Sequence, residues 1–282
     1  MKRRDFILSA GASFLTVAVG SVLAETKPKP TNPTSPQKPD NSLLVQWLGH
    51  SCFLFTGGGQ RVLVNPFRAI GCTAGFPLPK VEADIVLISS QLWDEGAAEG
   101  LPGNPKILFE PGAYDLGKLK LQGISIAHDR IGGQRFGMNV AWRWTQAGIS
   151  IVHLGGAAAP IELEQRILLG SPDLAFIPVG GGPKNYNPQE AKQAIEVLQP
   201  RIAVPTQYFT SAADKNACEL VSVDEFLKLV KDKNIRLIED NKLRIRAADL
   251  PKKGTLIRVF DYRKLLQKSS FLGANDLDLL IN

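Results

Sequence analysis

Ile85-Val86-Leu87-Ile88-Ser89-Ser90-Gln91-Leu92-Trp93-Asp94-Glu95 is the stretch whose reading decides the fold. Its apolar half, 85–88, has the length and side-chain branching of a short buried strand. The second half turns at once polar, aromatic and acidic. Loops leaving a rigid strand are where binding and catalytic groups concentrate, so the boundary at Ser89 marks a candidate site. Asp94 is a good hard ligand and Glu95 a second one. The cluster contains no histidine.

The chain before this stretch separates by composition. Residues 1–24 open with Lys2-Arg3-Arg4-Asp5-Phe6, continue through an apolar small-residue run and close on Ser21-Val22-Leu23-Ala24. That is the pattern of a signal peptide, and the paired arginines resemble the twin-arginine export class. The chain is therefore expected to meet the export machinery and to reside in a bacterial periplasm or thylakoid lumen. Residues 25–41 carry Pro28, Pro30, Pro33, Pro36 and Pro39 among polar residues and form a stiff tether. Residues 42–282 are long enough for one α/β domain with a substantial core. No later run is apolar enough to span a bilayer after cleavage. Three basic residues and one acidic residue leave with the signal region (net +2), which takes the formal charge from +6 to +4. The basic residues are scattered or mixed with acids, so they read as a solvated face and not as a nucleic-acid footprint.

Working outward, 43–48, 52–56 and 61–64 read as three strands, with Gly57-Gly58-Gly59-Gln60 as a hairpin turn. Several short strands before any helix indicate a mixed or antiparallel sheet, not a nucleotide-binding βαβ unit. Downstream, 94–103 reads as a short, poorly formed helix bounded by glycine and proline. Strands follow at 106–109, 119–127, 139–145, 149–154, 173–179, 202–205 and 255–260, with 236–239 and 242–245 read as a pair. Helical patterns cover 160–169, 189–198 with Asn187 as its cap, and 223–231 with Ser222 and Glu225 as a capping box. Trp142 and Trp144 share a strand face, and packing outweighs a ring-stacking platform as their role. Cys52, Cys72 and Cys218 permit a Cys52–Cys72 or a Cys72–Cys218 bridge, with Cys52 reading as a buried small hydrophobe.

Several short motifs, taken in order, resemble the metallo-β-lactamase superfamily, in its branch similar to the ascorbate-6-phosphate lactonase and related Zn-dependent hydrolases. They are Trp47-Leu48-Gly49-His50-Ser51, Val64-Asn65-Pro66-Phe67, Ala83-Asp84-Ile85-Val86-Leu87-Ile88-Ser89, Ile177-Pro178-Val179-Gly180-Gly181 and Pro205-Thr206-Gln207-Tyr208. The resemblance implies a four-layered αββα sandwich with a metal site at one edge between the sheets. It also implies a His-x-His-x-Asp-His motif directly after the strand. By position, its histidines fall on Ser90, Leu92 and Glu95 and its aspartate on Asp94. The family's next histidine matches His128, its bridging aspartate Gly156, and its last histidine Gln207. In the family's second motif the residue before the proline is usually aspartate; here it is Asn65.

Chemistry decides what these replacements mean. A catalytic zinc takes three protein ligands and keeps an open position, and a two-metal hydrolase needs a bridging carboxylate besides. Leu92 cannot ligate, Gly156 has no side chain, and Ser90 and Gln207 are weak neutral donors. The expectation is an exported protein that has lost the dinuclear zinc site, carries no cofactor and binds a small ligand or a protein partner. Ser90, Leu92, Trp93, Gly156, Gln207 and Tyr208 would line its cavity. The alternative is a divergent lactone, ester or phosphodiester hydrolase. It would use one divalent metal (Zn, Mn or Mg) at Asp94, Glu95 and His128, or none, with His50 as a further candidate. His50 and His153 otherwise read as structural, and the Gly180-Gly181-Gly182-Pro183 loop as a turn beside the site.

Overall fold

The computed structural model describes residues 41–266 apart from Lys264. The expected signal peptide, and all of the tether but its last residue, lie outside the described residues. Strands alternate with few helices: β1 (Ser42–Gly49), β2 (Cys52–Gly57), β3 (Gln60–Val64), β4 (Ile85–Leu87), β5 (Lys106–Leu108), β6 (Gly112–Asp115), β7 (Lys120–Ala127), β8 (Met138–Gln146) and β9 (Ile149–His153) come first. Then come α1 (Leu163–Leu169), β10 (Leu174–Pro178), α2 (Pro188–Leu198), β11 (Ile202–Thr206), α3 (Val223–Leu229), β12 (Asn234–Ile238), β13 (Lys242–Arg246) and β14 (Leu256–Phe260). Among the described residues no helix is long and apolar enough to cross a membrane.

The strands form two mixed sheets. One runs β13-β1-β2-β3-β4-β5 and the other β12-β14-β11-β10-β9-β8-β7-β6. Alternation along β2 and β8 turns large apolar residues inward from both sheets. Phe53 meets Phe176 with ring centroids 4.6 Å apart, and Phe55 meets Trp144 edge-on at 5.0 Å. Trp142 and Trp144 are both buried in this layer, so packing is their role. Each indole N–H also has a partner: Trp144 Nε1 donates to Gln146 Oε1, and Trp142 Nε1 crosses to the Ile88 carbonyl at the end of β4. α1 packs on β7 and α2 on β10, which adds a helical layer to the eight-stranded sheet. Two mixed sheets with few helices agree with the expected α/β sandwich, and among the described residues the helical layer lies on the eight-stranded sheet.

Strand direction places the site. β9, β10 and β11 are mutually parallel, and β7 runs with them because β8 is antiparallel to both β7 and β9. Their carboxyl ends therefore lie along one edge, delivering His128, the Gly155-Gly156 turn, Gly180 and Gln207 to the same place. Ligand sites in α/β sheets form at such carboxyl ends. β4 brings Ser89 to Glu95 there from the other sheet, and Val140 N donates to the Ser89 carbonyl at 2.7 Å.

Three local expectations are corrected. Residues 94–103 form turns and no helix. Gly96 N closes one turn on the Leu92 carbonyl at 2.7 Å, but the next N–H, of Ala97, goes to the Pro66 carbonyl at 2.8 Å, so no helix continues. The segments 236–239 and 242–245 do not pair; β12 joins β14 in one sheet and β13 joins β1 in the other. Ser222 starts α3 without a side-chain cap, and Glu225 pairs instead with Lys228 at 2.8 Å. α2 starts as read from the sequence, with Asn187 accepting from Glu190 N and Pro188 in its first turn.

Candidate functional site

The loop after β4 is held open by an asparagine. Asn65 is fully buried, accepts from Ser89 N at 2.9 Å and reaches Ser51 Oγ at 3.4 Å. Its backbone has φ 49°, and His50 and Gln207 share that left-handed conformation at 52° and 50°. Three of the five described non-glycine residues with positive φ thus cluster here. Such strain persists only where packing over-determines it, and it concentrates at functional sites. Asn139 supplies the second clamp, accepting from Gly156 N at 2.8 Å and donating to the Leu154 carbonyl at 2.8 Å. Asp129 supplies the third, with both carboxylate oxygens accepting from the N–H groups of Ile131, Gly133, Arg135 and Phe136. Desolvation pushes its pKa up, but those four donors win and hold it down to about 2.

The centre is built from Glu95, His128 and Gln207, all buried. Glu95 Oε2 accepts from Ser90 Oγ at 3.2 Å, and Glu95 Oε1 accepts from the Gln207 amide. Burial pushes Glu95 upward, outweighing the pull of nearby His128. His128 Nδ1 lies 2.5 Å from the Gly156 carbonyl; a carbonyl only accepts, so Nδ1 is the donor. His128 Nε2, His50 Nδ1 and Gln207 Oε1 are buried without partners among the described residues. Glycine at 156 is a steric necessity. A Cβ there would come within 2.6 Å of Glu95 Oε1 and 2.8 Å of His128 Nδ1. The position that the resemblance gives to a bridging aspartate is filled by two other side chains.

Asp94 pairs with a lysine and caps no helix. Its Oδ2 lies 2.5 Å from Lys184 Nζ, with side-chain exposures of 14% and 24%. Desolvation raises the Asp94 carboxyl, but Lys184 first and His50 next pull it below the ordinary range. Lys184 follows the Gly180-Gly181-Gly182-Pro183 turn, which lies beside the site. Gly180 sits so close to the 207–208 backbone that a Cβ would come within 2.8 Å of Tyr208 Cα. Arg130 anchors this loop from β7, donating to the Gly182 and Asn185 carbonyls and pairing with Glu190 at 2.7 Å.

Lys184 and Asp94 line an open cleft of about 450 Å³ together with Ile70, Cys72, Gln91, Leu92, Trp93, Pro183 and Leu220. Cys72 and Cys218 form a disulfide that joins its two walls, and Cys52 is the buried free thiol. The same walls are laced by Gly75 N to Ala212 O and Asp214 N to Gly71 O. Trp93 stands 58% exposed at the rim with the Arg68 guanidinium 4.8 Å over its ring.

The expected cavity residues divide accordingly. Leu92 and Trp93 line the cleft, whereas Ser90, Gly156 and Gln207 belong to the buried centre behind it. Tyr208 is corrected: it packs in the core 6.2 Å from Trp47, with its hydroxyl 3.4 Å from the Phe260 carbonyl. His50 is buried beside Asp94 and Lys184, and desolvation lowers its pKa to about 4. His153 is structural; its ring nitrogens meet Ser51 O and Gly155 N, both at 3.1 Å. The joint set Asp94, Glu95 and His128 is also corrected, because Asp94 turns to Lys184 while Glu95 turns inward. Among the described residues no three His, Cys, Asp or Glu side chains are placed to hold a metal ion. The donor set present does not fit the two-zinc centre.

Sequence reasoning missed Lys184, Arg130, Asn139 and Asp129. Only Asp129 carried a local signal, as an acid opening a glycine-rich loop.

Comparison with known proteins agrees with this architecture. Residues 44–207, more than half of the chain, match the family described as the β-lactamase superfamily domain. A metal-dependent hydrolase of Thermococcus onnurineus is 29% identical over 217 residues, covering 67% of this chain and 92% of the relative. A metal-dependent hydrolase of Thermus thermophilus is 26% identical over 193 residues, covering 59% and 84%. Among solved structures, a Thermotoga maritima protein assigned as a Zn-dependent hydrolase of the metallo-β-lactamase superfamily superposes with a TM-score of 0.61 at 27% identity. That match covers 78% of this chain and all of the other. The chain belongs to the β-lactamase superfamily-domain family and has the metallo-β-lactamase fold.

Proposed function

We propose that this chain is a binding protein on a hydrolase fold, in which the dinuclear zinc centre has been lost and the cleft takes a small ligand. The observation that carries the reading is the Lys184 ammonium 2.5 Å from Asp94, the one carboxylate that this sequence shares with the superfamily's metal motif. A protein cation already neutralises that carboxylate. The Gln207 amide on Glu95 and the filled space over Gly156 support the same conclusion. The rim residues Trp93 and Ile70 also suit contact with a protein partner, as the second occupant of the same face.

A divergent hydrolase is the second reading, and the names of the relatives favour it, since they are called metal-dependent hydrolases. One divalent metal (Zn, Mn or Mg) would then be held with the help of Asp94, Glu95 or His128. A screen of lactones, esters and phosphodiesters, run beside a thermal-shift screen of small molecules, separates the two. The binding reading predicts saturable shifts without turnover. Turnover that disappears in Asp94→Ala or His128→Ala overturns it.

The proposal includes export to a periplasm or lumen. The Cys72–Cys218 disulfide supports an oxidising compartment, joined to the basic start at Arg3 and Arg4. Replacing both arginines by lysine should leave the protein in the cytoplasm on fractionation. Unchanged delivery would argue against the twin-arginine route.

A further inference from the structure

We propose that Lys184 is the resident cation of this site: it neutralises Asp94 and offers its remaining N–H donors to the carboxylate of a small ligand with an aromatic or aliphatic body. The inference rests on the binding reading and adds the ligand's chemistry to it. A lysine ammonium has three donors. One is taken by Asp94 Oδ2 at 2.5 Å, and no second acceptor meets Nζ among the described residues. Lys184 lines the cleft and its side chain is 24% exposed; the cleft's volume of about 450 Å³ falls in the range of small-molecule sites.

The rest of the lining sets the character of the ligand. Leu92, Trp93, Ile70, Pro183 and Leu220 offer an apolar and aromatic wall, and the Cys72–Cys218 disulfide fixes its far side. Arg68 braces Trp93 by stacking over its ring and by its own backbone N–H, which donates to the Trp93 carbonyl at 2.7 Å. Charge limits the head group. Asp94 already offsets much of the Lys184 charge, and Glu219 stands exposed on the rim. A dianion such as a phosphate monoester therefore meets more repulsion from Asp94 and Glu219 than a monocarboxylate does, for the same shared donor group.

Trp93 is a built-in reporter, since Trp47, Trp142 and Trp144 are buried. The experiment titrates the mature chain with phenylacetate, phenyl phosphate and benzyl alcohol, following tryptophan emission, with Trp93→Phe to show where the signal arises. Phenylacetate should bind saturably and more tightly than the other two. Lys184→Met should weaken it about tenfold or more, the scale of one lost charge-assisted hydrogen bond. Lys184→Arg should retain most of the affinity, and Asp94→Asn, which frees the ammonium, should tighten it. Opposite effects at the two partners separate recognition from a merely structural salt bridge, whose loss would weaken binding in both variants. Equal phenylacetate affinity in wild type and Lys184→Met, a preference for phenyl phosphate, or no saturable binding overturns the inference. Metal content is measured on the same samples. Stoichiometric metal that leaves with Asp94→Asn overturns the metal-free reading itself, whatever the lysine variants do.

Discussion

Asp129 and Glu95 are two acids just beyond strand ends at the same edge of the sandwich, and they live under opposite conditions. Asp129 gathers four backbone N–H groups and is held down to about 2. Glu95 has only the Ser90 hydroxyl and the Gln207 amide, and burial pushes it up. The contrast extends to their neighbours. Asn65 and Asn139, like Asp129, direct their polar atoms to specific partners and fix the loops in place. Around Glu95, by contrast, His128 Nε2, His50 Nδ1 and Gln207 Oε1 have no partner among the described residues. The frame of the site is fully bonded, while the groups at its centre satisfy one another only in part. Frame and centre thus differ in how fully their polar groups are satisfied.

That separation can be broken by experiment. The largest effect is expected from the frame's covalent link. Cys72→Ser with Cys218→Ser opens a connection spanning 146 residues and should cost about 2–5 kcal/mol in denaturant unfolding. Asn139→Ala should follow at about 1–3 kcal/mol, because it strands the buried Gly156 N–H and Leu154 carbonyl. In the centre, His128→Leu should cost less than that, about 1 kcal/mol, since it strands one buried acceptor, the Gly156 carbonyl, while an unsatisfied ring nitrogen leaves with the histidine. If His128→Leu proved costlier than Asn139→Ala, the distinction between frame and centre would fail.

The pH responses of the two acids sharpen the contrast and should be the smallest effects. Asp129 has a folded pKa below its ordinary 3.8, so its contribution is complete above that value and is lost as the pH falls through about 2. The melting-temperature deficit of Asp129→Asn should therefore be full at pH 5 to 7 (roughly the range of maximal stability) and shrink on acidification. Glu95 has a folded pKa above 4.5, so ionising it weakens the folded state as the pH rises past that point. Glu95→Gln should match wild type in acid and gain on it towards neutrality. Parallel pH trends in the two variants would remove the electrostatic half of the comparison.

Much of the frame was legible in the sequence, because strand ends are marked by abrupt changes of chemistry. Ile88 to Ser89, Ala127 to His128, Leu154 to Gly155 and Val179 to Gly180 each pass from apolar to polar or glycine, and the parallel strands bring those boundaries together. The replaced ligands could be read from the resemblance alone. Lys184 could not, since it reaches Asp94 across 90 residues through a loop whose conformation no local pattern fixes. The failed pairing of 236–239 with 242–245 has a related cause. A strand's own alternation shows which face is buried but not which neighbour it joins, and here adjacent strands enter different sheets. The missing helix at 94–103 reflects a long-range backbone bond, from Ala97 N to the Pro66 carbonyl, that no local pattern announces.

The central claim is that a lysine has taken over the cationic role beside Asp94. The most direct test is the metal content of the mature protein, expressed with added zinc and manganese, purified without chelators and analysed by inductively coupled plasma mass spectrometry. The account predicts well below one metal ion per chain, unchanged in Asp94→Ala. One tightly held ion per chain in the wild type, absent from Asp94→Ala and His128→Ala, would contradict it.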